Sequence, residues 1–406
     1  MIRSFTIENF CSFRHPTAVS FVVGKNAPEN TTFRDSIVPD ERLSVVLGIF
    51  GPNASGKTNL LKGLPFLAYF ILHSYDAAPE TAIPVDGFLP LGPAEPTRIE
   101  LEYEADGTLF RYKVEFSKAS VLSETLSRRA ETGRFGAILQ RQMSGTGARP
   151  VITIGEALDI PKDVLQNTLR DNASIVSTAL QTGNETLRRW VAPLAVTSNV
   201  SRFGRASNHT EARLIGSAAT LFHRDLDLFG QMSDLIQRGD LGIKQLAIIE
   251  RPMLDEDKGT VSKQLSVQVA HAAGDLPDFA LPLLMESTGT KRLFILLSWI
   301  LPALREGHPA VIDELESDLH PHMIPWILRL FTTPAFNPKN AQLFFTCHSV
   351  EMLNELDKTQ TYLVGKDPAD NISIATRLDT IKGVRRNDNI FAKYNAGTYG
   401  AVPEPS

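Results

Sequence analysis

The sequence predicts an α/β protein built around a glycine-rich strand–loop–helix, with an antiparallel β subdomain and a mostly helical insertion. Three observations carry this. Gly51-Pro52-Asn53-Ala54-Ser55-Gly56-Lys57-Thr58 fits G-x-x-x-x-G-K-[ST] and lies between an apolar β-branched run at 43–50 and a helix opening with Asn59-Leu60-Leu61. Residues 98–116 alternate apolar and polar on either side of Asp106-Gly107, a hairpin signal. Two further apolar strands end in chemistry-bearing residues, one at Asp313-Glu314 and one at Cys347-His348.

In order along the chain, Ile2, Phe5, Ile7, Phe10, Phe13, Val19 and Phe21 alternate through 1–21, which predicts an antiparallel hairpin with one wet face. Residues 28–42 are polar, contain Pro39 and read as a loop. The strand at 43–50 leads into the glycine loop. Leu60, Leu64, Leu67, Ala68 and Ile71 then set a helical period to about residue 72. Proline-rich 76–96 reads as a loop or extended crossing, before the hairpin at 98–116. From 118 to about 239 the pattern weakens and reads as largely helical. Arg128, Arg129, Arg134, Arg141, Arg149, Arg188, Arg189, Arg202, Arg205 and Arg213 gather there. Such arginines form a patch for nucleic acid or an acidic partner, or simply lie scattered on solvated helices. Residues 242–249 and 264–270 read as strands, and 293–304 as a buried helix. These signals divide the chain into an N-terminal lobe (1–117), a mostly helical insertion (118–240) and a C-terminal lobe (241–406).

Composition narrows the class. The 406 residues are 43% hydrophobic and 21% charged, which is globular, and a net charge of −5 gives no global drive toward nucleic acid or membrane. Two cysteines suit a reducing cytoplasm, and the opening Met1-Ile2-Arg3-Ser4-Phe5 lacks a signal-peptide layout. The apolar stretch 293–304, interrupted by Ser298, is too short to span a bilayer.

The glycine loop predicts phosphate chemistry. Glycines let backbone N–H groups approach an anion, and the helix dipole adds positive potential. Lys57 is expected to reach the β- and γ-phosphates, and the Thr58 hydroxyl to bind Mg²⁺. On the strand ending Val311-Ile312-Asp313-Glu314, Asp313 is expected on the Mg²⁺ side and Glu314 to polarise an attacking water, with that strand lying beside the phosphate-loop strand. His348 is placed to contact the γ-phosphate; alone it would read as a core histidine. His320-Pro321-His322 has no further ligand at useful spacing and is rejected as a metal site. Ser287-Thr288-Gly289-Thr290 opens the helix at 293–304, either as an ordinary cap or as a second anion-seeking helix start.

Together these residues resemble the ABC-type ATPase heads of the SMC, RecF and OLD groups, a P-loop NTPase fold. Ile7-Glu8-Asn9-Phe10-Cys11-Ser12-Phe13-Arg14 looks like that family's N-terminal hairpin, which implies that Asn9, Ser12 and Phe13 border the nucleotide. Gly51 to Thr58 resembles Walker A, which implies contacts from Asn53, Ala54, Ser55, Gly56, Lys57, Thr58 and Asn59. Ser287 and Gly289 resemble the signature motif, Asp313 and Glu314 Walker B, Ser317-Asp318-Leu319-His320 the D-loop, and His348 the switch histidine. The resemblance is nearest to single-chain bacterial ATPases of abortive-infection and PARIS-like anti-phage systems, through motifs that include Tyr394-Asn395-Ala396-Gly397-Thr398-Tyr399-Gly400-Ala401-Val402-Pro403. It implies ATP and Mg²⁺ as ligands, hydrolysis with Glu314, His348 and Lys57 as catalytic residues, and a head-to-tail dimer with ATP between subunits. It also implies a defence role beside an effector such as a TOPRIM-type nuclease, the alternative being a RecF-like DNA-repair ATPase. Two departures stand out. No glutamine between the phosphate loop and the 98–116 hairpin fits the family's Q-loop, and Cys11 stands where many relatives carry a basic residue.

Overall fold

The computed structural model describes all residues except 25–27, 93–94, 144–149, 203, 206–209, 240–241, 256–259, 387 and 400–406. Its centre is a six-stranded sheet in the order Thr197–Ser198, Ala310–Ile312, Leu343–Thr346, Val46–Phe50, Thr361–Lys366, Ser373–Arg377. Every neighbouring pair is parallel except the last. The four inner strands are apolar almost throughout because both faces are covered. Leu47, Ile49, Val311, Phe344, Tyr362 and Val364 join one core, and Val46, Phe50, Ala310, Ile312, Leu343, Phe345 and Leu363 the other. Alternate residues along each strand therefore feed opposite cores.

The phosphate-loop helix Lys57–His73 packs on the first face through Leu60, Leu61, Leu64 and Leu67. Over it lies a seven-stranded antiparallel sheet, in the order Val151–Ile154, Phe135–Gln142, Val121–Arg129, Thr108–Phe116, Thr97–Ala105, Ile2–Glu8, Thr17–Ser20. Its Asp106-Gly107 turn has φ of 49° and 66°, the left-handed pair a tight hairpin needs. The second face carries the helices Glu211–Arg224, Leu226–Arg238, Thr288–Glu306 and Met323–Thr332. No described helix is long and apolar enough to cross a membrane.

Several sequence readings are corrected. The expected loop at 28–42 contains the strands Phe33–Asp35 and Glu41–Ser44, which form a small sheet with Val22–Gly24. The expected strand at 43–50 is broken: the Ser44 hydroxyl accepts from the Val46 N–H and donates to its carbonyl, so the chain changes sheets at Val45. The exposed strand Leu276–Pro282, which extends the ribbon Ile243–Asp255 and Thr260–Ala273, has no buried face to impose alternation.

The largest correction concerns 118–240, where the helices begin only at Lys162 among the described residues and sheet comes first. It opens with Val121–Arg129, Phe135–Gln142 and Val151–Ile154, continuous with the sheet of the N-terminal lobe, so a division at 117 cuts one sheet. The period-two signal is hidden because Glu124 and Arg141 occupy inward positions. Arg141 is fully buried, donating to the carbonyls of Arg170 at 3.0 Å and Ala173 at 2.8 Å, so it belongs to no surface patch. Glu124 accepts from the Tyr112 hydroxyl and the Ile175 N–H, both at 2.8 Å. Burial pushes the Glu124 carboxyl up and the Arg141 guanidinium down. Arg141→Met is expected to cost about 3 kcal/mol, since it strands two carbonyls and removes the nearby positive charge from a buried carboxylate. The urea midpoint at unchanged slope reads this; an unmoved midpoint refutes it.

Candidate nucleotide site

The phosphate loop leaves the C-terminal end of Val46–Phe50 and holds Gly51, Ala54 and Gly56 at φ of 147°, 60° and 112°. Two glycines are sterically required. A Cβ on Gly51 would lie 2.0 Å from the Val364 carbonyl oxygen, and one on Gly56 would lie 2.4 Å from Ser373 Oγ and 2.8 Å from Ser12 Oγ. Ser373, which the sequence analysis missed, donates to the Ser55 carbonyl at 2.7 Å and meets Ser12 Oγ at 2.8 Å. Asn59 Nδ2 donates to Ser12 Oγ at 3.0 Å. Residues from both ends of the chain thus brace the loop.

Lys57 is buried, and its ammonium donates to the loop carbonyls of Gly51 at 2.8 Å and Pro52 at 2.9 Å. Burial lowers its pKa, opposed by Asp313, Glu316 and Glu314 in that order. Asn53 and Ala54 are exposed at the loop tip, and Ser55 is buried.

The acidic strand Ala310–Ile312 is not beside the phosphate-loop strand, as expected; Leu343–Thr346 lies between them. Strand neighbours sit about 4.8 Å apart, so this interposes a whole strand. The helix start reaches across the gap. Thr58 Oγ1 lies 2.9 Å from Asp313 Oδ2 and 3.2 Å from Oδ1. The intervening strand supplies another missed residue: Thr346 Oγ1 donates to Asp313 Oδ1 at 2.6 Å and accepts from the Glu314 N–H at 2.7 Å. Glu314 has φ of 50°, which directs it off the strand line, and its Oε1 lies 3.8 Å from His348 Nε2. Both side chains are more than a third exposed, so a ligand can reach them. Glu316, also missed, accepts from the His348 N–H at 2.6 Å. Only the fold brings Thr346, Glu316 and Ser373 to this point.

Other expected residues are placed differently. Asn9 spends its side chain on backbone groups, accepting from the Phe88 N–H at 2.8 Å and donating to the carbonyls of Glu95 at 2.8 Å and Pro96 at 3.1 Å. Phe13 is fully buried in the core. Of the three hairpin residues, only Ser12 touches the phosphate loop. Cys11 lines a cleft of about 270 Å³ with Phe10, Lys62, Phe66, Asp86 and Arg202, and burial pushes its thiol up to about 11. Ser287 is exposed and caps Thr288–Glu306, its Oγ accepting from the Thr290 N–H at 3.1 Å. That helix packs on the face of the central sheet opposite the phosphate-loop helix. The structure therefore gathers Lys57, Thr58, Asp313, Glu314 and His348 at one sheet end, and joins Ser287 to the phosphate loop by no hydrogen bond among the described residues. Of the C-terminal motif, 400–403 lie outside the described residues.

The donors fit a triphosphate with a hard cation. Thr58 and Asp313 offer adjacent oxygens, which Mg²⁺ prefers. Ser55 Oγ is buried in the loop without a hydrogen-bond partner in the described structure.

A parallel sheet ending in a glycine phosphate loop, with an acidic strand one position removed, defines a P-loop NTPase of mixed α/β build. Residues 46–354 match the family described as "AAA domain, putative AbiEii toxin, Type IV TA system", and the chain belongs to that AAA-domain family. Among solved structures it is similar to the SMC head domain from Thermotoga maritima, at 13% identity over 93% of this chain and 98% of that one, with a TM-score of 0.43. It is also similar to a Smc head domain with an extended coiled coil bound to the C-terminal domain of ScpA, derived from Pyrococcus furiosus. There the identity is 12%, the coverage 92% and 95%, and the TM-score 0.39. No curated protein matches.

Proposed function

We propose that this chain binds and hydrolyses ATP with Mg²⁺ in pockets completed by a second copy of itself, and that it acts as a nucleotide-controlled sensor or scaffold in anti-phage defence. The observation that supports the chemistry best is the 2.9 Å approach of Thr58 Oγ1 to the Asp313 carboxylate, with Glu314 and His348 alongside. In this reading Thr58 and Asp313 hold the cation, and Lys57 exchanges its loop carbonyls for phosphate oxygens. Glu314 takes a proton from the attacking water, and His348 borders the γ-phosphate. Bound Mg²⁺ would neutralise charge on the transferred group.

The exposed Ser287 and Thr288 at the start of a helix packed on the opposite face from the phosphate-loop helix support a head-to-tail dimer in which each copy completes the other's pocket. ATP would favour the closed pair and hydrolysis would release it. The family description, which names an AbiEii toxin and a toxin–antitoxin system, supports the defence reading. The effector we propose is a nuclease, for instance of TOPRIM type, held until a phage trigger arrives; the alternative is a RecF-like repair ATPase on duplex DNA. Copurification with products of neighbouring genes tests the first reading. A salt-dependent DNA-binding titration tests the second, because backbone binding weakens steeply with salt. Hydrolysis itself is tested by Glu314→Gln, below.

A further inference from the structure

The strand Thr197–Ser198 forms one outer edge of the central sheet, paired in parallel with Ala310 and Val311. Its backbone pairing stops there, but the contact continues through a side chain. Asn199 Oδ1 accepts from the Asp313 N–H at 2.7 Å, and Asn199 Nδ2 donates to the Asp313 carbonyl at 2.9 Å. The residue is 2% exposed. A side-chain amide carries one acceptor and a donor side by side, so it meets a peptide edge as a neighbouring strand would. Its two bonds fall on the peptide groups either side of the Asp313 Cα. They hold φ and ψ of the residue whose carboxylate faces Thr58.

Beyond Asn199 the chain turns into the small hairpin Val200–Ser201 and Gly204–Arg205, which packs against the phosphate-loop helix. A Cβ on Gly204 would lie 3.9 Å from Thr58 Cγ2. Arg202, in the same hairpin, is paired with Asp86 at 2.8 Å, and the Asp86 carbonyl accepts from the Cys11 N–H at 2.7 Å. Asn199 thus stands where the tip of the acidic strand meets the hairpin that flanks Thr58.

We propose that Asn199 is a positioning residue for the cation: by clamping the Asp313 peptides it sets the carboxylate toward Thr58, and it ties that geometry to the strand pair Val200–Ser201 and Gly204–Arg205. This rests on the reading of Thr58 and Asp313 as the Mg²⁺ side of an ATP pocket. The competing explanation is that Asn199 merely staples the sheet edge. Ser198 separates the two, because its Oγ donates to the Val311 carbonyl at 2.8 Å on the same strand pair, two residues short of Asp313. Ser198→Ala loosens the same edge without touching the carboxylate.

The test uses the full chain in a Glu314→Gln background and a fluorescent ATP analogue, titrated once with MgCl₂ and once with EDTA. Asn199→Ala and Asn199→Asp should bind the analogue in EDTA as the background protein does. Both should lose about tenfold of the affinity that Mg²⁺ adds, the lower end of what removing a ligand's outer hydrogen-bond partner costs. Ser198→Ala should keep that gain. Asn199→Asp matches the native side chain in size and carries the test if the alanine variant fails to fold. An undiminished Mg²⁺ gain in the folded Asn199 variants, or an equal loss in Ser198→Ala, overturns the inference alone. A background protein that binds the analogue but gains nothing from Mg²⁺ overturns the cation reading, and this inference with it.

Discussion

Glu314→Gln should retain ATP binding but slow steady-state phosphate release by a factor on the order of 10² to 10⁴, the range set by loss of a general base. Glutamine keeps the length and volume of glutamate, so the backbone bond from the Glu314 N–H to Thr346 Oγ1 at 2.7 Å is undisturbed. What disappears is the capacity to take a proton. The side chain is placed for that role: it is more than a third exposed, and one oxygen lies 3.8 Å from His348 Nε2. Lys57→Ala should behave differently, because it removes the buried ammonium that donates to the Gly51 and Pro52 carbonyls and so should weaken binding itself. With ATP present, the Glu314→Gln chain should accumulate as a dimer in size-exclusion chromatography, and the Lys57→Ala chain should stay monomeric. Wild-type turnover by Glu314→Gln would reassign the base.

A mixture of two inactive chains should regain activity. Lys57→Ala destroys the loop half of a pocket, and Ser287→Arg blocks the helix-start half. If each pocket takes one half from each copy, a mixed dimer carries one doubly damaged pocket and one intact pocket. Random pairing would give about one quarter of wild-type activity for a symmetric two-site pair; because Lys57→Ala does not pair with itself on ATP, the expected result is activity in the mixture that neither chain has alone. Ser287 is exposed and only caps its helix, so losing it costs about 1 kcal/mol of stability and should leave the chain folded. A mixture as dead as its parts would mean that one copy completes its own pocket.

The comparison of sequence with structure divides along a physical line. The phosphate loop and its helix, the 98–116 hairpin with its Asp106-Gly107 turn, and the acidic and histidine strands could be read in advance. Each is declared locally, by glycines that only one backbone shape accepts or by apolar periods that a buried face imposes. The strands at 121–129 and 135–142 were hidden because Glu124 and Arg141 point inward, which only their mutual surroundings make tolerable. The side-chain contacts of Asn9 and Phe13 were not legible because a motif names a residue type, whereas the packing decides where its side chain goes.

By itself, then, the sequence determined that the chain carries a phosphate loop, a pair of acids on a strand end, a histidine on another and a capped apolar helix. Tertiary structure alone decided their arrangement. It interposed the Leu343–Thr346 strand between loop and acids, set Thr346 and Asn199 on Asp313, and packed the helix that Ser287 caps on the other face of the sheet. The reason is that hydrogen-bond partners 33 and 114 residues apart leave no trace in local periodicity; they exist only once strand order has been chosen by the burial of both sheet faces.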